Sequence, residues 1–167
     1  MRYVIIAGTN RPESRTRKIA DFYRNTLIIK GIEPEMVFLE GMDLNQRSPE
    51  LEALEADVLI PAKKLIFILP EYNGSYPGAL KTMIDMLDYK KVWQGKKALL
   101  TGIATGRAGN LRGLDHLTAS LQYLQVVVHP NKIPISQIHT LMDDQGILVD
   151  EGTKKTIVRQ VDEFISF

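Results

Sequence analysis

The segment YVIIAGTNRPESRTRKIADFYRN (residues 3–25) opens as an unbroken apolar run, passes through a polar turn and resumes with Ile19, Phe22 and Tyr23 at spacings of three and four. A continuous β-branched run reads as a strand buried on both faces. The later spacing reads as an amphipathic helix. The same unit recurs outward from there. EMVFL (35–39), LIFIL (65–69), ALLTGI (98–103) and VVVH (126–129) read as further strands buried on both faces. Between and after them lie PELEALEADVL (49–59) and three helical patterns, carried by Leu80, Met83, Ile84 and Leu87, by Leu114, Leu117, Leu121 and Leu124, and by Ile157, Val161, Phe164 and Ile165. Gly31 is placed as a helix stop and Ser48-Pro49-Glu50 as a helix start. Strands alternating with helices predict an α/β, doubly wound parallel sheet of five strands with helices on both faces. Residues 131–147 lack a clear period and are expected to hold a loop that reaches a neighbouring element.

At 167 residues the chain is read as one domain, 1–167, with enough sequence for a sizeable core. Its 44% hydrophobic and 25% charged content argues against disorder and fibrous repeats. Lys and Arg number 21 against 20 Asp and Glu, a net charge of +1, so no global field favours nucleic acid or an anionic membrane, and any anion site must be local. The absence of cysteine removes disulfides, thiolate metal sites and cysteine catalysis, and fits a reducing interior. The first apolar stretch is too short for a signal peptide and no later run reaches spanning length, so a cytoplasmic protein is expected.

In such sheets ligands sit outside the carboxyl ends of the strands, which selects the loops at 8–16, 70–78 and 103–110. The first supplies Gly8 for a tight exit, hydroxyls at Thr9, Ser14 and Thr16, the amide of Asn10 and the guanidinium of Arg11. A helix starting near Ser14 would aim free N–H groups at the same point, which suits a phosphate dianion. A capped helix with solvated charges is the alternative. Neither GxxxxGK[ST] nor GxGxxG is present, so a phosphomonoester fits better than a pyrophosphate. The second loop, PEYNGSYPGALKTMIDML (70–87), sets Tyr72 and Asn73 among Gly74, Pro77 and Gly78. Backbone groups turned inward there can read the edge of a planar heterocycle while Tyr72 shapes the cavity. The alternative is a turn-rich connection with Tyr72 as packing.

The pairing of these two loops resembles the NADPH-dependent FMN reductase family, which includes bacterial quinone, chromate and azo-dye reductases. Its first motif, G-S-x-R-x-x-S-x-[NT], is met at Gly8, Arg11, Ser14 and Thr16, with Thr9 keeping the hydroxyl of the usual Ser. Its second, P-E-Y-N-x-S-x-P-G-x-L-K-N-x-I-D, is met at Pro70, Glu71, Tyr72, Asn73, Ser75, Pro77, Gly78, Leu80, Lys81, Ile84 and Asp85, with Thr82 in place of Asn. The resemblance runs to about residue 134. It implies a flavodoxin-like, three-layer α/β/α fold with strand order 2-1-3-4-5. FMN phosphate is then expected at Thr9, Asn10, Arg11, Ser14, Arg15 and Thr16, the isoalloxazine against Pro70, Glu71, Tyr72, Asn73 and Gly74, and closure of the ring by Ala104, Thr105 and Gly106. The implied reaction moves hydride from NADPH, or NADH, to FMN and then to a small acceptor: a quinone, azo compound, metal oxyanion or free flavin. The flavin carries that chemistry, so no catalytic side chain and no metal is expected. The family also implies a homodimer or tetramer. A flavodoxin-like electron carrier or FMN-binding protein without NADPH activity is the alternative; the balanced charge does not suit an acidic docking surface.

GIATGRAGN (102–110) imitates a dinucleotide turn, but it follows the fourth strand and no acidic residue stands at a second strand end to take a ribose. Arg107 in that loop is a candidate grip for the extra phosphate of NADPH. NGSYPG misses the nucleophile-elbow spacing, the three histidines at 116, 129 and 139 need not converge, and the basic cluster Arg11, Arg15, Arg17 and Lys18 has no aromatic or basic continuation for nucleic acid.

Overall fold

A computed structural model describes residues 1–167. The strands are β1 (Tyr3–Ala7), β2 (Glu35–Phe38), β3 (Lys64–Pro70), β4 (Lys97–Ile103), β5 (Val127–Val128) and β6 (Ile133–Ile135). All pairs are parallel, in the order β2-β1-β3-β4-β5, with β6 beside the far half of β4. The helices are α1 (Arg15–Ile29), α2 (Pro49–Ala53, continued to Leu59 as wider π turns), α3 (Gly78–Met86), α4 (Leu111–Tyr123) and α5 (Glu151–Ser166). No helix is long and apolar enough to cross a membrane.

Alternate side chains of each central strand enter opposite layers. Val4, Ile6, Leu65, Phe67 and Leu100 pack with α3, α4 and Trp93. Ile5, Ile66, Ile68 and Leu99 pack with α1 and α5 through Tyr23, Leu27, Ile157 and Phe164. Helix α1 ends in a Schellman motif. Gly31 takes φ +78°, Gly31 N–H donates to the Ile28 carbonyl and Ile32 N–H to that of Leu27.

Two sequence readings need correction. Residues 126–129 are not one strand buried on both faces. β5 pairs only with Lys97 and Ala98, Val127 is exposed, and pairing resumes as β6 opposite Thr101–Ile103. Pro130 carries no N–H for the ladder. The buried amide of Gln160 fills the gap, donating to the Leu100 carbonyl at 3.3 Å and to that of Asn131 at 2.7 Å. Its Oε1 accepts from the Tyr23 hydroxyl at 2.6 Å, which also meets Thr101 Oγ1 at 2.6 Å, so burial that pushes the Tyr23 phenol up also ties α1, β4 and α5 together. Strand β2 is likewise an edge, with Glu35 exposed and Phe38 half-buried.

At the strands' amino edge, buried lysines meet helix C-termini. Lys96 Nζ donates to the carbonyls of Leu59, Ile60 and Ala62 at 2.6, 2.9 and 2.5 Å. Lys64 Nζ donates to those of Phe164 and Ile165 at 2.7 and 2.9 Å. Such cations satisfy orphan carbonyls and complement the negative dipole end. Removing the amine in Lys96→Met leaves buried carbonyls unpaired and should cost about 1–3 kcal/mol in urea unfolding at pH 7. Burial pushes the Lys96 amine down from 10.5 to about 8. Between those values the unfolded chain binds the extra proton, so the stability gap between wild type and Lys96→Met should widen as pH rises from about 8 to 10.5.

Candidate functional site

The candidate site lies where β1, β3 and β4 release their chains. Gly8 N–H donates to the Ile68 carbonyl at 2.8 Å, drawing the first loop against β3. A side chain at Gly8 would stand 2.9 Å from Leu80 Cδ2. Thr9 is therefore buried, with Oγ1 2.6 Å from the Tyr72 hydroxyl while also accepting the Arg11 N–H at 3.2 Å. The Arg11 guanidinium lies over the Tyr72 ring, 4.1 Å from its centroid. Ser14 then caps α1, its Oγ accepting the Arg17 N–H at 3.2 Å, and the N–H groups of Arg15 and Thr16 have no intrahelical acceptor.

The second loop is a miniature hairpin. Glu71 N–H donates to the Ile103 carbonyl at 3.0 Å, and Tyr72 and Ser75 exchange backbone hydrogen bonds at 2.9 and 3.1 Å. Asn73 at φ +52° and Gly74 at φ +76° make the Asn-Gly turn that matches strand twist. The tip is thus fixed by backbone chemistry rather than held loosely.

The third loop takes its shape from contacts that exclude side chains. A Cβ on Gly109 would stand 2.6 Å from the Pro134 carbonyl carbon, one on Gly102 would stand 2.5 Å from the Gly109 carbonyl oxygen, and one on Gly113 would stand 2.1 Å from Asn110 Oδ1. Asn110, fully buried at φ +68°, donates from Nδ2 to the Leu69 carbonyl at 3.1 Å and so ties the third loop to the base of the second. The glycines that imitate a dinucleotide turn serve this packing. Ala104 is held between the Ile135 carbonyl, which accepts its N–H, and the Ile138 N–H, which its carbonyl accepts.

These loops enclose a cleft of about 1200 Å³. Arg11, Ser14, Arg15 and Thr16 of the first loop, Pro70, Glu71, Tyr72 and Asn73 of the second, and Ala104 and Thr105 of the third line it. Four residues from the sequence reading stand off the lining. Thr9 lies behind it, bonded to Tyr72; Asn10 is exposed; Gly74 faces Arg112; and Gly106 gives its carbonyl to the Gln137 N–H. Arg107 is exposed and also off the lining. Sequence reading missed Arg17, Lys18 and Asp21 farther along α1, Glu40 after β2, Ile138, and Asp144–Gly146. The last group reaches the cleft because a small hairpin, bridged at Met142 and Leu148, sets Gly146 against the Lys18 stem; no local motif announces it. Arg17 stacks 4.2 Å over Phe38 and lies 3.6 Å from Glu40, whereas Arg11, Arg15 and Lys18 make no ion pair.

A sequence model of the NADPH-dependent FMN reductase family matches residues 1–140. An NAD(P)H-dependent FMN reductase of Pseudomonas aeruginosa is 31% identical over 147 residues, covering 81% of this chain and 78% of the relative. A 2-hydroxy-1,4-benzoquinone reductase of a Burkholderia species is 24% identical over 180 residues, covering 100% of this chain and 96% of the relative. The crystal structure of an NADH:FMN oxidoreductase in its apo form superposes with a TM-score of 0.80 at 20% identity, covering 99% of this chain and 89% of that one, which speaks to the fold.

Substituting Gly113→Ala should force the Asn110 side chain out of place and break its bond to the Leu69 carbonyl. The expected loss is about 1–3 kcal/mol of stability by urea unfolding. Unchanged stability would show that Asn110 can repack at no cost.

Proposed function

The chain belongs to the NADPH-dependent FMN reductase family, and from that premise we propose that its cleft seats FMN with the phosphate at the α1 end and the flavin ring at the Tyr72–Ser75 hairpin. The protein is an FMN-dependent NAD(P)H oxidoreductase. The donor set fits the cofactor: a helix N-terminus, the Ser14 and Thr16 hydroxyls and the unpaired Arg11 and Arg15 suit a phosphate monoester. The observation that carries this reading is the Arg11–Tyr72 stack. One residue from each of the first two loops meets there, which supports reading the two loops as a single receptor.

Bound FMN supplies the two-electron chemistry, and the protein supplies position and field. Arg11, Arg15 and the first N–H groups of α1 neutralise the phosphate. Asn73 and the Pro70–Tyr72 backbone orient the ring, while Ala104 and Thr105 bound its other side. We assign NADPH as the preferred reductant, supported by Lys18, a cleft cation without an ion pair beyond those assigned to the FMN phosphate, which favours an additional phosphate in the cleft. The acceptor we assign is a small aromatic that stacks on the flavin, a quinone first, in keeping with the relatives' activities. Residues 1–167 act as one flavin-binding domain, in a homodimer or tetramer.

Purified protein should be supplemented with FMN, desalted and titrated anaerobically with NADPH while its absorbance is followed. Flavin should be retained and bleach with NADPH at lower concentrations than with NADH. Loss of all flavin on desalting would overturn the site, and retained flavin that stays oxidised would overturn the reductase reading. In the same assay Arg11→Ala should weaken FMN binding by about 1.5–3 kcal/mol, the range of a hydrogen bond to a charged group.

A further inference from the structure

Thr9 joins the first two loops without itself lining the cleft. Its N–H donates to the Ala7 carbonyl at 2.8 Å, closing a three-residue turn directly after β1. Its Oγ1 accepts the Arg11 N–H at 3.2 Å, the bond by which a hydroxyl folds the chain two residues further on. The same oxygen lies 2.6 Å from the Tyr72 hydroxyl. With 3% of its surface exposed, Thr9 has both its N–H and its hydroxyl turned to the protein.

Tyr72 is fixed at both ends. Its N–H and carbonyl exchange bonds with Ser75, and its hydroxyl meets Thr9, so the phenol is a strut from the second loop to the first. Arg11 lies over that strut, its guanidinium 4.1 Å from the ring centroid, and enters no ion pair. Thr9 therefore holds Arg11 twice, its main chain through the accepted N–H and its side chain through the ring beneath it. A guanidinium already seated beside the cleft loses less rotamer freedom when an anion arrives.

We propose that Thr9 is a positioning residue for the phosphate grip: it acts through Tyr72 and Arg11 rather than on the ligand, and so gives the site its preference for a phosphorylated flavin over the same flavin without phosphate. The inference rests on the FMN reading above. Thr9→Val keeps the shape of the side chain but leaves the Arg11 N–H and the Tyr72 hydroxyl without their partner. Arg11 is then released from its seat. The Tyr72–Ser75 hairpin, set by its own backbone bonds, keeps the ring end of the site.

The test compares dissociation constants for FMN and riboflavin, which has the same ring and no phosphate, read by quenching of flavin fluorescence. Thr9→Val should weaken FMN about tenfold, the order of one hydrogen bond, and leave riboflavin nearly unchanged. Thr9→Ser, which keeps the hydroxyl, should restore the FMN constant. Because Thr9 works through Arg11, Thr9→Val combined with Arg11→Ala should bind FMN no more weakly than Arg11→Ala alone. Tyr72→Phe keeps the ring under Arg11 and should show the same selective loss of FMN in smaller measure, which decides the matter even where Thr9→Val does not fold. In flavin-free protein, Thr9→Val and Tyr72→Phe together should lower the urea midpoint by less than the sum of their separate effects, since they break one bond. Equal weakening of both flavins, no weakening of FMN, or additive losses in either pair overturns the proposal; additivity with Arg11→Ala is the result expected of a hydroxyl that bonds the phosphate itself. Wild-type protein that binds neither flavin fails the FMN reading and this inference with it, whereas an FMN preference that survives Thr9→Val fails this inference alone.

Discussion

The parallel register between β3 and β4, running unbroken from Lys64 opposite Lys97 to Pro70 opposite Ile103, is the constraint on which the site depends. With β1 in register from Tyr3 opposite Lys64 to Ala7 opposite Ile68, the strands release their chains at one edge of the sheet. Because the strands are parallel, each following helix must start at that edge and finish at the other. The free N–H groups of α1 therefore face the cleft by topology alone. The same polarity sends helix C-termini to the opposite edge, where Lys64 and Lys96 meet their carbonyls. A slip of one residue between β3 and β4 would reverse the layers and separate Pro70 from Ile103.

At the site edge the loops differ in how they hold their shape. The third loop is set by close packing, with Gly102, Gly109 and Gly113 leaving space that Asn110 and Pro134 fill. The second is set by an Asn-Gly turn and by contacts to α4. The first borrows rigidity from the second, through Thr9 and Arg11 on Tyr72. Thr9 shows the consequence: a hydroxyl that sequence reading assigns to the ligand is committed to the hydroxyl of Tyr72 at 2.6 Å and to the Arg11 N–H.

The strand order, the helix caps at Ser14 and Ser48 and the helix stop at Gly31 were legible because each rests on local chemistry: a buried apolar run, a side-chain oxygen three residues before an N–H, a residue free to take positive φ. The division of the fifth strand was not, since Pro130 interrupts a ladder whose gap is filled by Gln160, thirty positions later. The cleft followed the same rule. The residues of the three loops lie where strand ends place them, whereas Asp144–Gly146 arrive through a hairpin set by Asp143, whose carboxylate accepts the N–H groups of Gln145 and Ile147.

In a chain with a net charge of only +1, a local concentration of cations comes from arrangement rather than from total charge. Of the cations in the first loop and at the start of α1, Arg17 is drawn to Glu40 and Phe38, which leaves Arg11, Arg15 and Lys18 to shape the potential in the cleft. Glu13, Asp21, Glu40, Glu71 and Asp144 also border it, so cations and carboxylates share its rim. The polar turn between β1 and α1 is in this sense more than a connection: its charge has meaning only because β3 supplies Tyr72 for Arg11 to lie against.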